Sequence, residues 1–235
     1  VKKKIPVIVG YNFKGNHSTI ADSSILYSDN FKLVRKPSHN DWIRGIQSNR
    51  WDYEQIIGRG YGIATMCYHD IFPDEEGFKD ESAAALFSDY EERLNQDDNW
   101  EAIGVWAWGS SRIVDYLETI KEIDQGKIAL LGHSRQGKAA LWAGAQDLRF
   151  SLVISNNSGE GGAALAKRKF GETIAIVSNI IPFWFSKSLN KYHNKEEEMP
   201  FDQHMLIALI APRPVYVASA EEDLWADPKG EYLSA

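Results

Sequence analysis

One cysteine, Cys67, occurs in 235 residues, so no disulfide framework can staple this chain. No apolar run approaches the roughly 20 residues of a membrane-spanning helix. Positive charge is in deficit. The 26 lysines and arginines against 33 aspartates and glutamates leave a net charge of −7, which argues against non-specific binding to nucleic acid or to an anionic membrane. No internal repeat and no low-complexity linker divides the chain. No signal peptide is read in these residues: after the basic start, Ile5-Pro6-Val7-Ile8-Val9-Gly10 is too short and carries no cleavage pattern. No histidine, aspartate and glutamate cluster has metal-ligand spacing, so no metal and no cofactor is expected.

What is present suits a globular enzyme: 43% hydrophobic and 25% charged residues, enough for one domain over 1–235. We read both ends as cut, the first residues as a strand already in progress and the last as a helix just begun. Strand-like segments fall at 4–13, 61–69, 127–131, 150–155 and 215–219, the second and third as buried runs. Ile103, Trp106, Ile113, Leu117 and Ile120 recur at helical spacing and predict an amphipathic helix over 101–122 with Trp106 in the core. Residues 18–60 look irregular. The acid-rich stretch 74–98 is expected to be a solvated loop and helix. Alternating strands and helices predict an α/β fold with a doubly wound, mostly parallel sheet in three layers, and a site at the strands' carboxyl ends.

The centre of the chain is Leu130-Leu131-Gly132-His133-Ser134-Arg135-Gln136-Gly137-Lys138. A serine between glycines, after a buried strand and before a small-residue helix, predicts a nucleophile elbow. The pattern is G-x-S-x-x-G, one residue longer than the usual form. Gly132 and Gly137 are required where a side chain would strike the packed strand and helix. Arg135 follows the serine, where its backbone N–H is the natural oxyanion donor and its guanidinium a second one. Lys138 lies one helical turn from Ser134, on the same face. Two cations beside a nucleophile suggest an anionic or oxygen-rich acyl group.

Such a serine needs a base and an orienting carboxylate. Two loops at strand ends offer acids: Glu160, beside the non-ionising Asn157, and the group Glu221, Glu222 and Asp223. We favour Asp223, which lies furthest past its strand and precedes Trp225, a candidate substrate wall. Of the histidines, His133 is expected to point into the fold. His69 ends a strand but precedes the serine, and His204 is read as a packing or supporting residue on a helix. None follows Asp223. The base is therefore expected beyond Ala235.

These residues resemble the glucuronoyl esterases of carbohydrate esterase family 15, bacterial type. The resemblance runs through residues 132–144, Asn156-Asn157-Ser158-Gly159-Glu160-Gly161-Gly162, Asp202-Gln203-His204-Met205-Leu206, and 211–228. It extends to Tyr11-Asn12-Phe13-Lys14-Gly15-Asn16-His17 and Trp106-Ala107-Trp108-Gly109, nearly the whole chain. It implies an α/β-hydrolase fold and cleavage of esters between 4-O-methyl-glucuronic acid on xylan and lignin alcohols. Ser134 would be the nucleophile, Asp223 the acid, and Arg135 an oxyanion contributor. Lys138 would bind sugar hydroxyls, and Trp225 would flank the glucuronoyl ring. The family's other acid position is occupied by Asn157, Phe183 stands where a histidine is expected, and Glu160 where relatives often have cysteine. The expected partner is a carbohydrate ester, handled by a secreted or periplasmic monomer. The alternatives are an acetylxylan esterase and a non-catalytic carbohydrate-binding relative.

Overall fold

The computed structural model of the chain describes residues 4–30 and 38–235; residues 1–3, part of the basic start, and part of the 18–60 stretch lie outside the described residues. Among the described residues, five strands form one sheet: β1 (Ile5–Asn12), β2 (Gly62–Cys67), β3 (Ile123–His133), β4 (Phe150–Asn156) and β5 (Val215–Ala218). Their order is β2-β1-β3-β4-β5, and every described pairing is parallel. The helices are α1 (Tyr53–Gly58), α2 (Tyr90–Arg93), α3 (Ala102–Leu117), α4 (Arg135–Gln146), α5 (Ile174–Ile180), α6 (Gln203–Ala208) and α7 (Pro228–Ser234). The fold is the expected α/β sheet. Central β3 ends at the elbow.

The strands bury one face tightly. Val7, Val9, Ile128, Leu130 and Val153 are closed off against Ala107, Val114 and Leu117 of α3 and Ala140, Leu141 and Ala143 of α4. Their neighbours Ile8, Ala129, Leu131 and Ile154 are only half-buried. The continuous apolar run in β3 thus folds into alternating burial, because successive side chains leave opposite faces of a strand. The strand also starts four residues earlier than its apolar content suggests. Strand β2, expected to be buried, lies at the sheet edge with most residues half-buried.

Helix α3 stops at Leu117, short of the predicted 122, and a turn through Ile120 feeds directly into β3. Its start has no side-chain cap. Instead, the N–H groups of Ala102 and Ile103 donate to the carbonyls of Phe183 and Trp184, 3.0 and 3.2 Å away. Helix N-terminal amides need outside acceptors, and here they pin the 183–185 segment beside the sheet's carboxyl edge. Trp106 is fully buried, as expected, and donates through Nε1 to the Phe72 carbonyl at 3.0 Å. Tyr11, Tyr68, Phe72, Trp106 and Trp184 form an aromatic cluster under that edge.

Candidate active site

At the carboxyl end of β3, Ser134 adopts φ 56° and ψ −128°, a backbone conformation that costs a non-glycine residue of order 1–3 kcal/mol. The turn is held at both ends. The Ser134 N–H donates to the Asn156 carbonyl at 2.9 Å, and the Ser134 carbonyl accepts from Gly137 N–H at 2.8 Å. A Cβ on Gly132 would fall 1.9 Å from the Gln136 carbonyl oxygen, and one on Gly137 would fall 2.8 Å from Ser158 Cβ. The extra residue in the G-x-S-x-x-G pattern does not relax this packing. Ser134 is the residue before α4, yet its hydroxyl makes no capping hydrogen bond, and the first-turn amides have no preceding turn to bond.

Ser134 opens into a cleft of ≈ 170 Å³ whose lining includes Arg135, Lys138, Asn157, Glu172, Trp184, Asp223 and Trp225. All five residues singled out from the sequence therefore share one cavity. Their partners decide what each is free to do.

Arg135 pairs with Asp74, whose side chain is only 3% exposed. Its guanidinium lies 4.8 Å from the centre of the Trp184 ring and 5.9 Å from that of Phe13. Asp74 also accepts from Trp184 Nε1 and from the Tyr68 hydroxyl, each at 2.8 Å. The solvated-loop reading of the acid-rich stretch fails at this first residue. A guanidinium and two neutral donors meet the carboxylate there, so its desolvation is offset.

Lys138 is buried, and its ammonium donates to the carbonyls of Ser158 at 2.7 Å and Glu160 at 2.6 Å and to Glu172 Oε1 at 2.7 Å. An ammonium has three donors, and all three are used by the protein. The carboxylate beside it, Glu172, is a fourth charged group of the cleft after Arg135, Lys138 and Asp223, and nothing in the local sequence marked it. Glu160 is buried as well. Burial pushes its carboxyl up to about 8, against the opposing pull of Lys138.

Asp223 accepts from the side-chain amide of Asn157 at 2.7 Å. Asn157 sits at φ 45°, a left-handed conformation that asparagine tolerates better than most residues. Its Oδ1 accepts from Asn156 Nδ2 at 3.0 Å and from Ala220 N–H at 3.2 Å. The loop below is anchored by Glu231 of α7, which is fully buried. Its carboxylate accepts from the N–H groups of Ser158 at 2.5 Å and Gly159 at 2.9 Å, and from the Ser219 hydroxyl. Trp225 is 53% exposed at the cleft mouth.

His133 does not point into the fold. It is exposed and lines the cleft, with Nδ1 2.7 Å from Asn156 Oδ1, because the alternation of β3 puts it on the face of half-buried Ala129 and Leu131. His69 is buried under the loop, where its Nδ1 accepts from Asp74 N–H at 3.1 Å. His204 is exposed on α6 rather than packed. Among the described residues, no histidine is hydrogen-bonded to Ser134. Trp184 has a double place: it is buried in the aromatic cluster and forms part of the cleft wall.

A family model described as glucuronyl esterase, fungi, matches residues 61–235. A carbohydrate esterase, MZ0003, from an unknown prokaryotic organism is 45% identical, covering 100% of this chain and 55% of its own length. The 4-O-methyl-glucuronoyl methylesterase 1 of Wolfiporia cocos is 36% identical over 73% of this chain and 43% of its own length. Among solved structures, a glucuronoyl esterase from Solibacter usitatus superposes with a TM-score of 0.91 at 44% identity, covering 100% of this chain and 60% of that one. The chain spans about half the length of the relatives it matches.

Proposed function

The chain belongs to the glucuronoyl esterase family, carbohydrate esterase family 15, and on that basis we propose that it is the core of a serine ester hydrolase acting on esters of 4-O-methyl-glucuronic acid. The observation that carries the proposal is Ser134, held in a strained turn between β3 and α4 with its hydroxyl unused and facing a cleft that also holds Arg135 and Asp223.

The chemistry runs in two halves. The Ser134 oxygen attacks the uronate carbonyl carbon and gives up its proton to a base. Negative charge moves to the carbonyl oxygen, where the Arg135 N–H groups stabilise it. The intermediate collapses, the C–O bond to the alcohol breaks, and the alcohol leaves with the proton from the base. Water then attacks the acyl-serine by the same route and releases the acid. Asp223 stabilises the protonated base, which we place in a histidine C-terminal to Ala235. Lys138 acts on substrate hydroxyls only if one of its three protein acceptors yields; otherwise it shapes the wall and holds Glu172. Trp225 supplies an exposed aromatic face for the sugar ring. We further propose a monomer acting outside the cytoplasm, since a cell-wall polymer cannot diffuse to a cytoplasmic site. Among the described residues, no helix is long and apolar enough to cross a membrane.

The test is turnover of benzyl glucuronate against acetylated xylan by the complete gene product. Release of benzyl alcohol with no release of acetate supports the reading. The reverse result assigns an acetylxylan esterase, and no turnover of either assigns a carbohydrate-binding protein.

A further inference from the structure

We propose that Asp74 is a positioning residue for the reaction, holding the Arg135 guanidinium in the place from which it meets the developing oxyanion. The proposal rests on the ester-hydrolase reading above and adds a residue 61 positions from Arg135 in the chain.

Three observations converge on it. First, Asp74 gathers donors from three separate segments: Tyr68 from the turn after β2, Arg135 from the start of α4, and Trp184 from the segment pinned to the start of α3. Two of those donors, Arg135 and Trp184, belong to residues that line the cleft. Second, the carboxylate uses Nη1 of Arg135 and leaves Nε without any partner, although Nε is buried. A buried N–H without an acceptor is uncommon, and it persists here because the surrounding contacts over-determine where the guanidinium lies. The Arg135 side chain keeps 24% exposure on the cleft, and that part is what an oxyanion on the carbonyl attacked by the adjacent Ser134 would meet. Third, the clamp fixes what is otherwise a long flexible side chain. The guanidinium is flanked by the Trp184 and Phe13 rings while Asp74 holds one edge, and the Asp74 backbone is itself bonded to His69 Nδ1. A preorganised donor need not reorganise as charge develops, which is where such groups gain their effect.

Asp74→Asn in the complete gene product is the sharpest probe. An asparagine can still accept from Trp184 or Tyr68, but it presents an N–H₂ group where Arg135 now finds a carboxylate oxygen. With benzyl glucuronate, we expect kcat to fall about 10- to 100-fold, less than the roughly 10²- to 10³-fold for deleting an oxyanion donor itself, with KM nearly unchanged. The same substitution in an Arg135→Ala background is expected to change kcat less than about twofold, because a residue acting through Arg135 has nothing left to position. A wild-type kcat in folded Asp74→Asn overturns the proposal, as does an undiminished fall in the Arg135→Ala background. If Asp74→Asn does not fold, Tyr68→Phe decides. It removes one donor to Asp74 outside the cleft and is expected to lower kcat by a smaller factor that again vanishes without Arg135. An unchanged kcat, or a fall that persists without Arg135, overturns the proposal. Failure of the underlying reading looks different: Ser134→Ala would then retain turnover, whatever Asp74 does.

Discussion

On one wall of the cleft, Arg135 and Lys138 each rest against a buried carboxylate, Asp74 and Glu172, and Lys138 has two further carbonyl acceptors. On the other wall, Asp223 and Trp225 ride a loop whose neighbours Glu221, Glu222 and Leu224 are exposed, and a single amide, that of Asn157, grips Asp223. The first wall is fixed by charge inside the protein. The second depends on a scaffold beneath it, from Asn157 through Ser158 to Glu231. A site that must hold a developing anion still while admitting and releasing a bulky ester would be expected to divide rigidity in this way.

Asp223 is the point at which the exposed wall enters the chemistry. Asp223→Asn is expected to lower kcat for benzyl glucuronate by about 10⁴-fold in the complete gene product, as for the orienting acid of other serine hydrolases. Steady-state rates with matched circular dichroism spectra check this. A loss below tenfold would move the acid role to Glu172, the other carboxylate lining the cleft.

Glu231→Ala tests whether that wall borrows its rigidity from below. Two backbone N–H groups, those of Ser158 and Gly159, would lose their buried acceptor, and stability should drop by about 3 kcal/mol in a denaturant melt. A variant as stable as wild type would show that the loop needs no anchor, and the contrast between the walls would dissolve.

The pH-dependent effect belongs to Glu160, whose carbonyl supports Lys138 and whose buried carboxyl is pushed from 4.5 up to about 8. Folded, this group keeps a proton that the unfolded chain loses above about pH 4.5. Its contribution to stability is therefore complete below that pH and is lost as pH rises through about 8. Glu160→Gln should flatten this decline in melting temperature between pH 5 and 8. An identical slope in wild type and variant would place the charge-sensitive group elsewhere.

The same contrast sets what a reader of the sequence can find. The elbow is legible because Gly132, Ser134, Arg135, Gly137 and Lys138 are neighbours along the chain, and their steric demands are local. The five strands and the amphipathic helix are legible for the same reason, with ends displaced where the chain turns between elements. Asp74 and Glu231 are not legible, since their partners lie 61 and 73 residues away; Asp74 moreover opens a run of acids that reads as solvent-facing. The outward turn of His133 was missed because the continuous apolar run of β3 conceals the alternation that puts His133 on the same face as half-buried Ala129 and Leu131. Asp223 could be favoured from its place past a strand end, but the Asn157 amide that holds it becomes visible only when β4 and β5 lie side by side.

The most direct measurement is benzyl glucuronate turnover by the complete gene product and by its Ser134→Ala variant, both confirmed as folded. The account predicts steady release of benzyl alcohol by the first and a loss of at least about 10⁴-fold in the second. Comparable rates from the two proteins would contradict it, because the hydroxyl at the turn between β3 and α4 would then take no part in breaking the ester.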